Sequence, residues 1–332
     1  AHNTFDYDPA TGDVTLYLAS FSEVMVQADM ENKWQGGMDF SWYEYSLDNV
    51  NYKISNADQL AAFGALVGGM KVDMKGNAIP YEQDSFEGKT VTLTGDIFIG
   101  DTDKFWPDPS ANEFMFYPIG YYNSTGSYNK ESGGSVTSGF KPFMGTFDGC
   151  GHIISDFYQN TWEAFGDYND GYSGTPNHNR DGFGLFGKVW GSRDGNGNYT
   201  GGIIRNLTVN NFSSDGEYTT TGVIAAYADG ATFTNIAIKN CNPRVYNIGN
   251  GGIVGNIDHG GTSTITNCVN YGTITTITGG VGGNQHCGNG GIVGIGGNSD
   301  DPDTYKLTFT NITIDNSNKI SALWGSYDVA CG

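Results

Sequence analysis

Glycine-flanked apolar runs recur in the second half of the chain and constrain its fold more than any other feature. They occupy residues 184–187, 222–226, 252–255 and 291–294. A second series, in which each run begins with asparagine, occupies residues 206–209, 235–238, 267–269 and 311–314. The two series alternate strictly. Like runs lie 29 to 44 residues apart, a spacing typical of repeat proteins.

Each of these runs is about one strand long, and a unit of two or three short strands cannot bury its own apolar side chains. Stacking on neighbouring units buries them. The sequence therefore predicts an all-β fold in which strands from successive repeats stack into a solenoid. The glycines then allow close approach of the backbone at the ends of the core-facing strands.

The composition narrows the class of protein. Charged residues make up 16% of the chain, against about 25% in an average domain. Aromatic residues at 14% and regular valine- and isoleucine-rich strands argue against disorder. The net charge of −20 disfavours nucleic acids and anionic membranes as partners and suits an exported protein. No apolar run approaches the length of about 20 residues that spans a bilayer.

The five cysteines are an odd number, so they cannot all pair within the chain. Cys241 and Cys268 each follow an asparagine in a predicted strand. Small buried apolar residues are the simplest interpretation of both.

Two regions are expected. Residues 1–52 are predicted to form an N-terminal β cap, because residues 5–18 read as strand, turn and strand and the segment up to Tyr52 alternates apolar and polar residues. Residues 53–332 carry the repeats. They begin with one short capping helix over residues 55–69, with Ser55 as N-cap, and they contain insertions at about 101–140 and 158–182.

Five motifs then come in a characteristic order: ISNADQLAAF at 54–63, GKTVTLTGDI at 88–97, YPIG at 117–120, FMGTFDGCGHII at 143–154 and GLFG at 184–187. This order resembles bacterial secreted and cell-surface proteins with GLUG-type repeats, over about residues 53–330. The resemblance implies a right-handed parallel β-helix of adhesin-like type. The same fold carries many polysaccharide hydrolases and lyases. Cys150 departs from the pattern, which usually has a small polar residue there.

Several polar residues have structural interpretations. Within the tight turn at 145–154, Asp148 is expected to accept hydrogen bonds from the turn's own N–H groups, while Phe147 and Ile153 point inward. The asparagines at 206, 235, 267 and 311 are expected to form an internal ladder of side-chain amides.

Asp229 and Asp258 are the candidate catalytic residues, since they follow two of the glycine-flanked runs at nearly the same offset. Carboxylates on neighbouring parallel strands lie about 5 or about 10 Å apart, close to the separations in glycosidases. Asp194, which follows the glycine-flanked run at 184–187, extends the same row of carboxylates. The alternative is that each aspartate caps its own turn.

A calcium loop is the metal site that the sequence allows. Asp194, Asn196 and Asn198 place oxygen ligands at alternate residues. Tyr199 stands where such loops have glycine, and Arg205 where they have glutamate. No Cys/His arrangement has zinc spacing, and no motif indicates another cofactor.

Aromatic residues supply the candidate sugar contacts, because a flat ring covers the apolar face of a sugar. The candidates are Trp106, Tyr121, Tyr122, Trp162 and Trp190. The alternative is that these rings attach the insertions to the repeats.

Two functions remain open. The favoured one is a non-catalytic extracellular or cell-surface protein that binds glycan, or that assembles with other copies or domains through the strand edge of its last repeat. The alternative is a secreted glycoside hydrolase or polysaccharide lyase that uses Asp229 and Asp258. The chain offers no compelling nucleophile or acid/base set, which favours the first. The cluster of Thr273, Thr275 and Thr278 is too short to indicate an ice-binding face.

Overall fold

The computed structural model describes residues 4–8, 13–17, 33–46, 48–100, 115–123, 138–160, 182–195, 198–217, 220–246, 249–257, 262–277, 289–296, 306–314 and 320–323. The chain divides into two compact units, Ala1–Asn32 and Lys33–Gly332. The division thus comes earlier than the expected boundary after residue 52.

Two helices and short strands make up the described chain. The helices are α1 Ser41–Glu44 and α2 Ala57–Gly68. The strands, in chain order, are β1 Thr4–Asp8, β2 Asp13–Tyr17, β3 Asn51–Ile54, β4 Thr90–Leu93, β5 Ile97–Phe98, β6 Tyr121–Asn123, β7 Ser138–Phe140, β8 Thr146–Asp148, β9 Ile153–Asn160, β10 Gly182–Phe183, β11 Phe186–Trp190, β12 Ser192–Arg193, β13 Tyr199–Thr200, β14 Ile203–Glu217, β15 Thr220–Gly222, β16 Ala225–Asp229, β17 Thr232–Lys239, β18 Asn242–Tyr246, β19 Asn250–Gly251, β20 Val254–Ile257, β21 Thr262–Thr266, β22 Val269–Tyr271, β23 Ile274–Ile277, β24 Asn289–Gly290, β25 Val293–Gly296, β26 Lys306–Thr310, β27 Thr313–Ile314 and β28 Ile320–Leu323.

The largest sheet has fourteen strands, and all of its pairs are parallel. Along it the chain returns in register. Phe147 pairs through Ile204 with Phe233, which in turn pairs with Ile265. All four side chains are fully buried. Successive repeats thus place an apolar side chain at the same core position, and this confirms the predicted all-β fold with parallel sheets.

The glycine-flanked runs form two further parallel sheets, ordered β10-β15-β19-β24 and β11-β16-β20-β25. Close packing explains their glycines. A Cβ on Gly222 would lie 2.3 Å from the carbonyl oxygen of Ala225, and one on Gly251 would lie 1.9 Å from that of Val254. Between the glycines, Ile224 and Ile253 are fully buried. These runs therefore build one wall of the core, as the sequence predicts.

The segment before β3 differs from its prediction. The alternation up to Tyr52 indicated an antiparallel β element, but residues 33–40 contain no strand, α1 follows them, and β3 pairs in parallel with β4. The aromatic side chains explain the difference. Trp34 and Trp42 are 5% and 9% exposed because they pack into the core, where the ring of Trp42 meets that of Tyr52 edge-on. In the other unit, β1 and β2 form the expected antiparallel hairpin.

Helix α2 lies within the predicted range, and its cap shifts by one residue. Asn56, rather than Ser55, is the N-cap, and its side chain accepts a hydrogen bond from the backbone N–H of Gln59. The side-chain oxygen of Gln59 in turn accepts a hydrogen bond at 2.8 Å from the N–H of Ser55, the residue before the N-cap. The arrangement is thus a variant of the capping box, whose second bond normally goes to the N-cap itself. Gly69 ends the helix with φ of 70°. Within the described chain, neither helix has the length and apolarity that a membrane crossing requires.

A buried glutamine links the insertions to the repeats. Gln159 is fully buried. Its Nε2 donates to the carbonyl oxygens of Phe116 and Gly184 at 3.0 and 3.1 Å, and its Oε1 accepts from the N–H of Gly184 at 2.9 Å. Phe140 packs directly over Gly187, since a Cβ there would lie 2.0 Å from its ring. The described parts of the insertions thus pack against the parallel sheets.

Candidate functional site

Two of the predicted site residues lie side by side. Trp190, the last residue of β11, and Asp229, the last residue of β16, are partners in register on these parallel strands. Neighbouring strands lie about 4.8 Å apart. The sequence suggested the tryptophan as a sugar contact and the aspartate as a carboxylate of the alternative enzyme. The structure places both on one sheet, and both are half-buried.

A lysine and a tyrosine complete this arrangement. Lys188 and Tyr227 are also partners in register, two residues before the first pair. The Nζ of Lys188 lies 5.2 Å from the ring centre of Trp190 and 5.6 Å from that of Tyr227. Cation–π attraction at these distances holds the amino group against both rings. Tyr227 is only 7% exposed, so its role is to hold the amino group of Lys188 rather than to meet a ligand. We call the three half-buried residues, Lys188, Trp190 and Asp229, the β11–β16 face.

The face is suited to a polar ligand with apolar patches. An indole ring offers a flat apolar surface, a carboxylate accepts hydrogen bonds, and an ammonium group donates them. The hairpin of β12 and β13 lies beside it, because the ring of Tyr199 packs over Gly230, the residue after Asp229. Asn256 pairs with Tyr227 and continues the polar positions onto β20. Lys188 and Tyr227 were not among the residues predicted from the sequence, although their position two residues before Trp190 and Asp229 places them on the same side of the strands.

The second catalytic candidate, Asp258, lies outside the described residues, as do Trp106, Trp162 and Asn196. The residue before Asp258, Ile257, pairs in register with Ala228, the residue before Asp229. Up to Ile257, therefore, β16 and β20 are paired in the register that the prediction of neighbouring carboxylates assumed.

Tyr121 and Tyr122, both predicted as sugar contacts, differ in their exposure. Tyr121 is 2% exposed. Its ring centre lies 4.6 Å from that of Tyr117 and 6.4 Å from that of Phe140. Its prediction as a sugar contact is wrong, since a ring packed into the core offers no surface to a ligand. Tyr122 is half-buried, with the Nζ of Lys141 lying 4.6 Å from its ring centre.

The predicted calcium ligands Asp194 and Asn198 lie at the turn between β12 and β13. The carboxylate of Asp194 accepts hydrogen bonds from the backbone N–H of Asn198 at 2.8 Å and from its side-chain amide at 3.2 Å. Asp194 therefore caps its own turn, which was the alternative interpretation. In the part of the chain that the structure describes, no group of three or more His, Cys, Asp or Glu side chains is placed to hold a metal ion.

Asp148 serves its turn, as the sequence predicts. Its Oδ1 accepts from the N–H of Cys150 at 2.9 Å and from the side-chain amide of Asn206 at 3.0 Å, and its Oδ2 accepts from Nε of Arg205 at 2.8 Å. Burial by itself raises the pKa of this carboxyl. The hydrogen bonds from Asn206, Cys150 and Arg205 outweigh that effect, and the net pKa is lowered. In the same turn the buried apolar residue is Ile154, while Ile153 is only half-buried.

The predicted asparagine ladder is present, but at the surface. Asn311 donates its side-chain amide to Asn267, Asn267 to Asn235, and Asn235 to Asn206, at 2.9, 3.1 and 2.9 Å. Each of the four has φ between 53° and 55°. Asparagine tolerates this left-handed conformation better than most residues. The four residues thus occupy equivalent turns of successive repeats, which explains why Asn235, Asn267 and Asn311 are exposed and Asn206 is half-buried rather than internal.

An open depression lies beside this ladder, lined by Cys150, Gly151, Asn206, Leu207, Thr208 and Asn235. Next to it, Nδ1 of His152 lies 3.1 Å from Oδ1 of Asp96. The thiol of Cys150 is exposed, but partial burial and the neighbouring Asp148 carboxylate raise its pKa. A raised thiol pKa disfavours the nucleophilic thiolate, so this cluster does not resemble a cysteine-based active site.

Comparisons with protein-family models, with curated proteins and with solved structures gave no match to this chain. The functional assignment therefore depends on the side chains of the β11–β16 face.

Proposed function

We propose that this protein is a non-catalytic, extracellular, adhesin-like repeat protein that binds glycan through the β11–β16 face. The observation that carries the proposal is the pairing of Trp190 with Asp229 in register, with Lys188 against the indole ring. Aromatic rings with a few placed polar groups are the usual means by which proteins hold a sugar. The acidic net charge of −20 favours neutral or basic glycans over anionic ones.

The architecture belonging to this proposal is a right-handed parallel β-helix of GLUG type. It is supported by the in-register return of Phe147, Ile204, Phe233 and Ile265 on successive parallel strands. Repeated short strands, none of which can bury its own core, are stabilised by stacking in such a fold. A calcium ion held by Asp194, Asn196 and Asn198 remains part of the proposal as an accessory ligand.

Self-association through the free edge of the last described strands belongs to the same proposal. Phe309 continues the inward column of Phe233 and Ile265, both fully buried, yet it is 49% exposed. Among the described strands, β26, β27 and β28 each pair on one side only. At the opposite end, Trp42 covers Tyr52. A second copy that meets the first through the β26 edge would bury Phe309 and give a closed dimer.

The test of glycan binding is a panel of immobilised polysaccharides probed with the protein and with Trp190→Ala. Tyr45→Ala is the matched control, because Tyr45 is 77% exposed and lies outside the face. We expect wild type and Tyr45→Ala to bind the same glycans and Trp190→Ala to lose them. If wild type binds no glycan, or if Trp190→Ala binds as well as wild type, the proposal is wrong.

The enzyme alternative is supported by the pairing in register of Ala228 with Ile257, the residues that precede Asp229 and Asp258 in the sequence. It is tested on the glycans that bind, by assaying for reducing ends and for unsaturated products that absorb ultraviolet light. If wild type forms product and both Asp229→Asn and Asp258→Asn form none, the protein is an enzyme rather than a non-catalytic binding protein.

A further inference from the structure

Threonine occupies two parallel columns on the outer surface of the large sheet. Thr232, Thr264 and Thr308 are partners in register on β17, β21 and β26, and so are Thr234, Thr266 and Thr310. We call these six residues the threonine face. The residues between the paired threonines, Phe233 and Ile265, are fully buried, so the threonine side chains point away from the core.

The face is a regular two-dimensional array. Parallel strands repeat at about 4.8 Å, and alternate residues of one strand lie about 6.6 Å apart. Each position presents one hydroxyl and one methyl group, and all six are half-buried or exposed. Because threonine is stiff at its first side-chain torsion, the array loses little conformational freedom when it meets an ordered surface.

The asparagine ladder fixes the spacing of the same three strands. Asn235, Asn267 and Asn311 directly follow Thr234, Thr266 and Thr310. Their amides are hydrogen-bonded from strand to strand at 3.1 and 2.9 Å. This chain of bonds runs beside the threonines and resists sliding or fraying of the strands. The ladder thus gives a short surface array the rigidity that lattice matching requires.

The chemistry of the threonine face does not suit ligands that are held by charged groups or by aromatic rings. None of its six positions carries a charge or an aromatic ring, whereas glycan recognition on the β11–β16 face rests on both. The array ends at β14, where Ile203 and Arg205 occupy the two columns. Hydroxyls that alternate with methyls at fixed spacings suit a lattice of ordered water, because the hydroxyls join its hydrogen bonds while the methyls fill gaps between them.

We propose that the threonine face binds the surface of an ice crystal. Water oxygens on the faces of hexagonal ice repeat at distances comparable to the two spacings of the array. The ligand is therefore crystalline water, and the site is separate from the glycan site on β11 and β16. Loss of one function should leave the other unchanged.

The test is to grow single ice crystals in a solution of the full chain and observe their shape near the freezing point. We expect faceted crystals with wild type and round discs with Thr266→Lys, whose long charged side chain stands at the centre of the array. Thr266→Val keeps the methyl and removes the hydroxyl, and we expect intermediate shaping. Circular dichroism of each variant checks that the fold is retained.

The matched control is Thr313→Lys. Thr313 is an exposed strand residue of β27, beyond the turn at Asn311 and outside the two columns. We expect it to shape ice as wild type does. Round discs with wild type, or equal shaping by folded Thr266→Lys and wild type, would overturn the proposal. Binding of the glycan panel is measured in parallel, so failure of the ice site is distinguished from failure of the β11–β16 face.

Discussion

The side-chain amide of Asn206 donates to Oδ1 of Asp148 at 3.0 Å, and this bond ends a chain of amide hydrogen bonds that runs in one direction from Asn311. A carboxylate accepts without donating, so it is a suitable terminus for a series in which each amide donates to the preceding one. The turns of successive repeats are thereby coupled to one ionised group.

The lowered pKa of Asp148 predicts a pH dependence of stability. Because its folded pKa lies below the unfolded value of about 3.9, the charged form stabilises the fold. This contribution is complete above about pH 4 and is lost as the pH falls through the folded pKa. In urea titrations, Asp148→Asn should be less stable than wild type at neutral pH, and the difference should shrink in acid. A difference that stays constant down to about pH 2 would show that the charge does not matter.

Asn235 combines a left-handed backbone with two ladder bonds, and two substitutions separate these contributions. Asn235→Gly removes both ladder bonds, the one donated to Asn206 and the one accepted from Asn267, but fits φ of 55°, while Asn235→Ala also strains the backbone. We expect losses in free energy of unfolding of about 1 kcal/mol for glycine and about 2 kcal/mol for alanine. Urea denaturation measures both. Equal losses, or a larger loss for glycine, would contradict the role assigned to the turn.

Gln159→Leu should be among the most destabilising single changes in the chain. It leaves the carbonyl oxygens of Phe116 and Gly184 and the N–H of Gly184 buried without their present partner. We expect a loss of about 3 kcal/mol or more, measured by urea denaturation. Gln83→Leu, at an exposed glutamine, is the control and should change stability little. A small loss in Gln159→Leu would mean that the insertions are held by other contacts.

Reactivity toward iodoacetamide should distinguish the exposed cysteine from the two buried ones among the described residues. Burial raises the pKa of Cys241 to about 12 and that of Cys268 to about 11, and both are free thiols. Native protein treated with iodoacetamide should carry label on the exposed Cys150, at a rate that rises with pH, and none on the other two until urea unfolds the chain. Peptide mass spectrometry locates the label. Native labelling of Cys241 at the rate of Cys150 would contradict its burial.

The sequence predicted the repeats, the parallel all-β fold and the turn at Asp148, because spacing and glycine placement report core positions directly. It could not place residues 33–52, where Trp34 and Trp42 alternate with polar residues as they would in a strand but are drawn into the core. It also placed the asparagine ladder inside the protein, because a repeated amide reads alike in a buried strand and in a left-handed turn. The pairing of Trp190 with Asp229 needed the register between strands, which spacing alone leaves ambiguous.

The most direct measurement of the central claim is the dissociation constant of Trp190→Ala for a glycan that wild type binds, obtained by calorimetry. Tyr271→Ala is the matched control, since Tyr271 is 46% exposed and lies on β22, away from the β11–β16 face. A stacked sugar contributes about 1 to 3 kcal/mol, so Trp190→Ala should weaken binding by about fivefold to about 150-fold. Tyr271→Ala should bind as wild type does. Unchanged affinity in a folded Trp190→Ala variant would contradict glycan binding at this face.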